Sequence, residues 1–482
     1  MKQVCWLFWL CCLSLGIHAQ SMRERICLDE AWQFALGNAS SPASDFGCGT
    51  EYFNYLTKAA SIHNEGPYAL KFDASSWETV DLPHDWVVDL PYAAEASHSH
   101  GYKTIGYKYP ETSVGWYRKT ISIPASDFGK HLYLQFDGIF RDARILWTFS
   151  AAYRILKKEE YLETAARAKR YLIDCFYDTD FGGIYWELDC DGNPTDTKKQ
   201  IYAIGFAIYG LSEYARATGD EEALDYAIRL FEVIEKYSFD PIQNGYLEAL
   251  TRDWKPIEDM RLSDKDENEK KTMNTHLHIL EPYTNLYRVW KDKRLENQLR
   301  NLIRIFLDKI LDRKTGHLNL FFEEDWLNKY HIYSYGHDIE ASWLLHEAAL
   351  VLGDAGLLKE VEEWVVRIAQ AADEGLNADG SMIYENFLDR QHIDRECHWW
   401  VQAENVVGHI NLYQHFQDEK ALEIAGKTWN FICEHLIDRQ GGEWYWSCYE
   451  DGTVNTKDDK AGFWKCPYHN GRMCMEIIER FS

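Results

Sequence analysis

Five helix starts in this 482-residue chain carry residue types suited to moving a proton. They are KKQIYAIGF (198–206), MNTHLHILE (273–281), SYGHDIEASW (334–343), HWWVQAE (398–404) and WKCPYHNGR (464–472). Four of them hold a histidine: His278, His337, His398 and His469. Asn274 and His278 are four apart, as are Trp400 and Glu404, while His337 and Glu340 are three apart, so each pair shares one helix face. A helix start disfavours imidazolium and helps to keep a histidine neutral, ready to accept a proton. Inverting a carbon beside an aldehyde needs a base on one face and an acid on the other. Two near-neutral histidines opposed across a substrate meet that need. Carboxylates orient their rings, and Trp faces hold a sugar.

Rival chemistries find less support. A zinc site would use the same residue types, but no HExxH occurs and His337-x-x-Glu340 alone is a weak signal. No GxSxG elbow, Walker A loop or dinucleotide fingerprint is present. A single histidine at a helix start is more often a cap or a core group. Four in register favour function, and neither a metal nor a cofactor is expected.

The elements that position these residues repeat. DTDFGGIYWELDCDGNPTD (178–196), DPIQNGYLEALTRDWKPIED (240–259), DRKTGHLNLFFEEDW (312–326), ADGSMIYENFLDRQHID (378–394) and DRQGGEWYWSCYEDGTVN (438–455) are versions of one element. Each follows a helix, turns through Gly, forms a short aromatic strand pair and leads into the next helix. At a period of roughly 60 to 70 residues, each unit is two helices plus a hairpin. About eleven amphipathic helices follow residue 145. Six helical pairs closed in a ring make an α/α barrel, so this one is expected to lack its first helix. Residues 22–143 read differently, as short alternating strands punctuated by Pro, Gly and Asp, which fits a partial β-sandwich. The acidic runs DKDENE (264–269) and KDDK (457–460) read as solvated loops, the first placed to cover the site mouth.

Composition sets the outer limits. A net charge of −26 argues against nucleic acid or an anionic membrane as partner. Aromatics at 15% suit sugar stacking as well as core packing. Residues 1–19 have Lys2 followed by an apolar run too short to span a bilayer, as in a secretory leader. Use of that leader would place the chain in the periplasm or outside the cell. Beyond it, nine cysteines are scattered with no CxxC pair, which is neither a zinc ribbon nor a disulfide scaffold.

RILW (144–147), KTMNTHLHILE (271–281), SYGHDIEASWLL (334–345), WWVQAE (399–404) and FWKCPYHNGRMC (463–474) resemble the cellobiose 2-epimerase family, within the N-acylglucosamine 2-epimerase superfamily. The resemblance implies an α/α barrel over 144–482 that epimerises carbon 2 of β-1,4-linked disaccharides. It implies His337 and His469 as the proton-transfer pair, with His278 as a third essential histidine. Glu340 and Glu404 are implied as supporting carboxylates. Arg144, Tyr202, Asn274, Trp343, Trp400 and Trp464 are implied as substrate contacts. His398 has no role there and is expected behind the site. The resemblance also implies a monomer working without cofactor, in a family usually found in the cytoplasm. SWETVDLPHDW (76–86), GWYRKTISIP (115–124) and LQFDGIFRDA (134–143) resemble instead the N-terminal sugar-binding domain of glycoside hydrolase family 2 β-galactosidases. Both parts look cut at a seam near residue 143, which makes a fusion of marginal stability the expectation. Two other readings stand beside the epimerase. One is an α/α-barrel glycosidase, which needs two carboxylates as acid and base or nucleophile; the other is a catalytically impaired carbohydrate-binding fusion.

Overall fold

The computed structural model describes residues 31–37, 72–80, 86, 90–93, 103–104, 109, 112 and 114–120, and then 139–482 without 189–191, 264–265, 440–441, 459 and 463. The leader at 1–19 and the cysteines at 27, 48 and 190 lie outside these. The chain falls into two units, Met1–Leu132 and Tyr133–Ser482. In the first, strands β1 (Trp32–Gly37), β2 (Glu78–Val80) and β3 (Val114–Arg118) form an antiparallel sheet in the order β2-β1-β3. Phe34 packs against Trp86 and Tyr117 on it.

The second unit is helical. Its first helices are α1 (Ile139–Leu156), α2 (Glu159–Tyr171), α3 (Ile201–Thr218), α4 (Glu221–Val233), α5 (Met273–Val289) and α6 (Lys293–Ile305). Then follow α7 (Tyr335–Leu352), α8 (Ala355–Ala372), α9 (Trp399–Phe416), α10 (Glu419–Phe431) and α11 (His469–Arg480). The odd-numbered helices form an inner ring in which α1, α3, α5, α7, α9 and α11 touch in turn and α11 closes back on α1. The even-numbered helices pack outside. Burial follows: α3 is buried almost all round from Ile201 to Ala215, whereas α6 buries only Leu295, Leu299, Leu302, Ile303 and Ile305 along one stripe.

Local sequence fixes each hairpin of helices. Inner helices α3 and α7 end on Gly219 and Gly353, both left-handed, at φ +77° and +76°. An aspartate follows and caps the next outer helix. Asp220 accepts from the Ala223 amide, and Asp354 from those of Gly356 and Leu357. Outer helices α2, α4, α6 and α10 then widen into a final π turn. A one-residue bridge closes the turn beyond each: Tyr177 with Ile184, Phe239 with Tyr246, Leu311 with Leu318, and Ile437 with Trp444. The strand pairs at the helix starts run between neighbouring repeats rather than inside one hairpin. Lys199 pairs with Leu250, Lys271 with Phe322 and Cys397 with Cys448. Each inner helix start is thereby tied to the next repeat, which holds the barrel mouth in register.

Eleven α-helices lie among the described residues, and no outer helix precedes α1 among them. Leu156 at the end of α1, Ile478 on α11 and Phe481 just beyond it are exposed. The seam expected at 143 falls inside α1, eleven residues past the division between Leu132 and Tyr133.

Candidate active site

Three inner helices present the same short pattern at the barrel mouth. His278 and Glu281 on α5, His337 and Glu340 on α7, and His469 and Arg472 on α11 are each three apart. The charged member lies one turn deeper than its histidine. The deep members converge. Arg472, fully buried, donates to Glu281, Glu340, Glu404 and the Tyr468 hydroxyl, at 2.7 Å for Glu404 and 2.6 Å for Tyr468. Trp343 and Tyr468 lie against its guanidinium, with ring centroids 4.9 and 4.7 Å away.

The histidines stand on this charged floor. His469 Nδ1 lies 2.8 Å from Glu404 Oε1, and His278 Nδ1 lies 3.1 Å from Glu281 Oε2. A carboxylate accepts, so Nδ1 carries the proton in each and Nε2 keeps a lone pair. His337 Nδ1 lies 2.8 Å from Ser334 Oγ. The ring of Trp400 packs near both His337 and His469, with centroids 4.8 and 5.6 Å apart. Gly336 makes room for it, because a Cβ there would sit 2.7 Å from the indole.

All three histidines are neutral at neutral pH. Burial first, and then repulsion from His278 and His469 when those rings take up protons, hold His337 down to about 3. Burial, then Arg472, Arg144 and His278, keep His469 well below the usual range. Burial lowers His278 against the pull of Glu281. The dominant cause is therefore enclosure, where the sequence pointed to the helix start. The carboxylates divide. Burial would raise Glu281, but Arg472, His278 and Tyr468 outweigh it and hold it at about 2. Burial and the charge of Glu404 push Glu340 up, and burial raises Glu404 against the pull of Arg472 and Trp343. Three carboxylates thus share one guanidinium, and Glu340 and Glu404 both hold their protons to higher pH than an ordinary glutamate. Donor atoms of Glu340, Glu404 and His469 lie within 4.8 Å of one another, a spacing suited to a cation, and Arg472 already bonds both carboxylates.

The expected substrate contacts fall into two groups. Arg144, Tyr202, Asn274, Trp400 and Trp464 gather around the histidines. Arg144 donates to the Tyr202 hydroxyl and, at 3.5 Å, to the Trp464 carbonyl. Tyr202 sets its ring edge-on to His278 at 4.9 Å. Asn274 Oδ1 is buried without a hydrogen-bond partner among the described residues. Trp343 stands apart from the sugar-contact expectation. It is 1% exposed and donates at 3.0 Å to Glu404 Oε2, so it props a carboxylate from below. His398 stacks on Tyr384 at 4.1 Å and lies 3.8 Å from Glu396, behind the site as expected.

Sequence reasoning passed over Arg472, Glu281, Tyr468 and Ser334. A charged residue three past each histidine was the available signal for the first two. The acidic run after residue 263 is also less free than a solvated loop. Glu267 accepts from Arg390 at 2.9 Å, Glu269 accepts from Tyr330 at 2.9 Å, and the charge of Asp266 reaches Tyr202.

Residues 129–471 match the N-acylglucosamine 2-epimerase family. Over 341 residues the chain is 67% identical to the cellobiose 2-epimerase of Bacteroides fragilis, covering 71% of this chain and 87% of that protein. The structure of cellobiose 2-epimerase from Bacillus thermoamylovorans B4167 superposes with a TM-score of 0.68 at 44% identity, over 71% of this chain and 88% of that one. The N-terminal part is similar to β-galactosidase BoGH2A of Bacteroides ovatus, 35% identical over 125 residues, which is 26% of this chain and 11% of that protein.

Proposed function

The chain belongs to the N-acylglucosamine 2-epimerase family, and we propose that it epimerises carbon 2 of the reducing-end sugar of β-1,4-linked disaccharides such as cellobiose, lactose or mannobiose. The observation that carries this reading is the pair of neutral histidines, His337 and His469, both packed against the Trp400 indole. Each has a lone-pair nitrogen for one face of a planar intermediate.

In the open-chain sugar, Nε2 of His469 takes the proton from carbon 2 of the gluco epimer. The electron pair moves toward the carbonyl and gives a cis-enediolate. Rotation about the C2–C3 bond then presents the other face, where His337, which takes a proton from solvent on its Nε2 as the enediolate forms, passes that proton to carbon 2 while His469 gives its own back to solvent; the manno epimer runs the same steps in reverse. Glu404 stabilises the imidazolium that forms on His469, and Glu281 orients His278. Arg144 places positive charge beside the oxyanion at carbon 1, where Tyr202 already lies. Trp400, Trp464 and Asn274 hold the sugar. Every residue in this scheme comes from one chain, so a monomer suffices.

Incubation with cellobiose in D₂O tests the scheme. Glucosyl-mannose carrying deuterium at carbon 2 is the expected product, and His469→Asn should slow its formation about a thousandfold. Free glucose in its place would mean hydrolysis, and an epimer without deuterium would overturn the histidine route.

A further inference from the structure

Two of the scattered cysteines are not apart in space. Cys397 stands two residues before α9, and Cys448 lies in the hairpin of the following repeat. They are direct partners in an antiparallel strand pair, with His398 opposite Ser447 beside them. The Trp399 amide donates to the Trp446 carbonyl at 3.0 Å, two positions along the same register. Hydrogen-bonded pairs alternate along such a ladder, so Cys397 and Cys448 also occupy a hydrogen-bonded position, where Cα atoms stand about 5.5 Å apart. That Cα spacing lies inside the range a disulfide spans, and direct partners point their side chains to the same face; the wide Cβ spacing of a hydrogen-bonded position means that closing the bond draws the two strands together. Both residues are buried, and both thiols are reduced in the structure.

We propose that Cys397 and Cys448 are a disulfide site, closed when the chain folds in the presence of a small disulfide oxidant of the glutathione type. One thiolate attacks the oxidant and releases one glutathione thiol. The second cysteine then displaces the other glutathione, so two protein thiols become one disulfide while one oxidant becomes two thiols. The bond joins the strand that leads into Trp399, Trp400 and Glu404 to the neighbouring repeat. It covalently fixes a pairing otherwise held by four residues.

The timing follows from burial, which pushes the Cys397 thiol up to about 12 and the Cys448 thiol up to about 11. In the folded protein few thiolates are present and exchange is slow, whereas the unfolded chain reacts at ordinary rates. The bond therefore forms during folding and afterwards resists reduction.

The test is to refold the full chain from reduced denaturant, with either oxidised glutathione or dithiothreitol, then alkylate and map peptides. The oxidative arm is expected to yield one linked peptide joining 397 to 448, with neither residue alkylated. It should melt roughly 5 °C above the reduced arm. In Cys448→Ala, refolded the same way, Cys397 should take up the label. Alkylation of both residues in the oxidised wild type, a link from either one to another cysteine, or a lower melting temperature would each overturn the proposal. The wild-type mapping needs no variant, so a poorly folding Cys448→Ala leaves the decision intact.

Discussion

The barrel buries charge in two places and balances it differently in each. At the hairpins, a lysine just before an inner helix meets an aspartate from the turn behind it. Lys199 Nζ lies 2.8 Å from Asp178 and Lys271 Nζ lies 2.8 Å from Asp240, with Tyr185 and Trp326 over the respective ammonium groups. Arg252 adds a second cation to Asp178. Each of these two aspartates has at least one cation, and both titrate below their usual range. At the site, Glu281, Glu340 and Glu404 share Arg472, and burial drives Glu340 and Glu404 the other way. Matched charge holds the scaffold together. Unmatched charge beside neutral histidines leaves protons free to move, which is how a site differs from a strut built from similar residues.

Removing Arg472 should break this contrast most severely. Arg472→Met strips the only cation bonded to all three carboxylates, and is expected to cost about 4 kcal/mol in chemical denaturation and to abolish epimerisation. If stability held, Arg472 would not organise the centre. The next comparison uses two like substitutions. Asp240→Asn strands the buried Lys271 and should cost about 3 kcal/mol. Glu340→Gln mimics a carboxyl that already tends to hold its proton, and should stay within about 1 kcal/mol of wild type. Equal losses would erase the distinction drawn here.

Titration sharpens the same point. In the unfolded chain Glu340 ionises around its ordinary 4.5, while in the folded state it keeps its proton to higher pH. The folded state binds more protons in that window, so stability falls as pH rises. His337 works in the opposite direction and only below its ordinary 6.5, since the folded ring stays neutral down to about 3. Between pH 6.5 and about pH 8, wild type should therefore lose unfolding free energy, and Glu340→Gln should lose less of it. An identical slope in both would remove Glu340 from the unmatched set. The smallest effect belongs to Trp343→Phe, which deletes the bond to Glu404. We expect a roughly tenfold fall in kcat with KM unchanged; a raised KM would restore Trp343 as a sugar contact.

Much of this was legible in the sequence because the repeats are in register. His278, His337, His398 and His469 could be placed together from equivalent helix starts, and the resemblance to the family rather than the spacing set His398 aside. The depth of each residue was readable too, though less directly. Trp400 is the second residue of α9, whereas Trp343 is six residues past His337 on α7, about 9 Å down the helix axis and out of reach of a ligand at the mouth. The sharing of one guanidinium among acids on α5, α7 and α9 was not readable, since it depends on which helices face one another across the ring. The same limit hid the Cys397–Cys448 pairing, formed by residues 51 positions apart in the chain.

Closure of the inner ring by α1 and α11 also sets an order of events in synthesis. Thr148 donates to the Pro467 carbonyl at 2.9 Å, Arg154 bonds Glu479, and the Arg144 guanidinium reaches the Trp464 carbonyl. A nascent chain that has emerged as far as residue 460 carries ten of the eleven helices but neither His469 nor Arg472. Glu281, Glu340 and Glu404 then have no shared cation and no second proton carrier. The ribosome must release the last helix before the first has its neighbour, so activity marks a completed chain rather than a merely helical one.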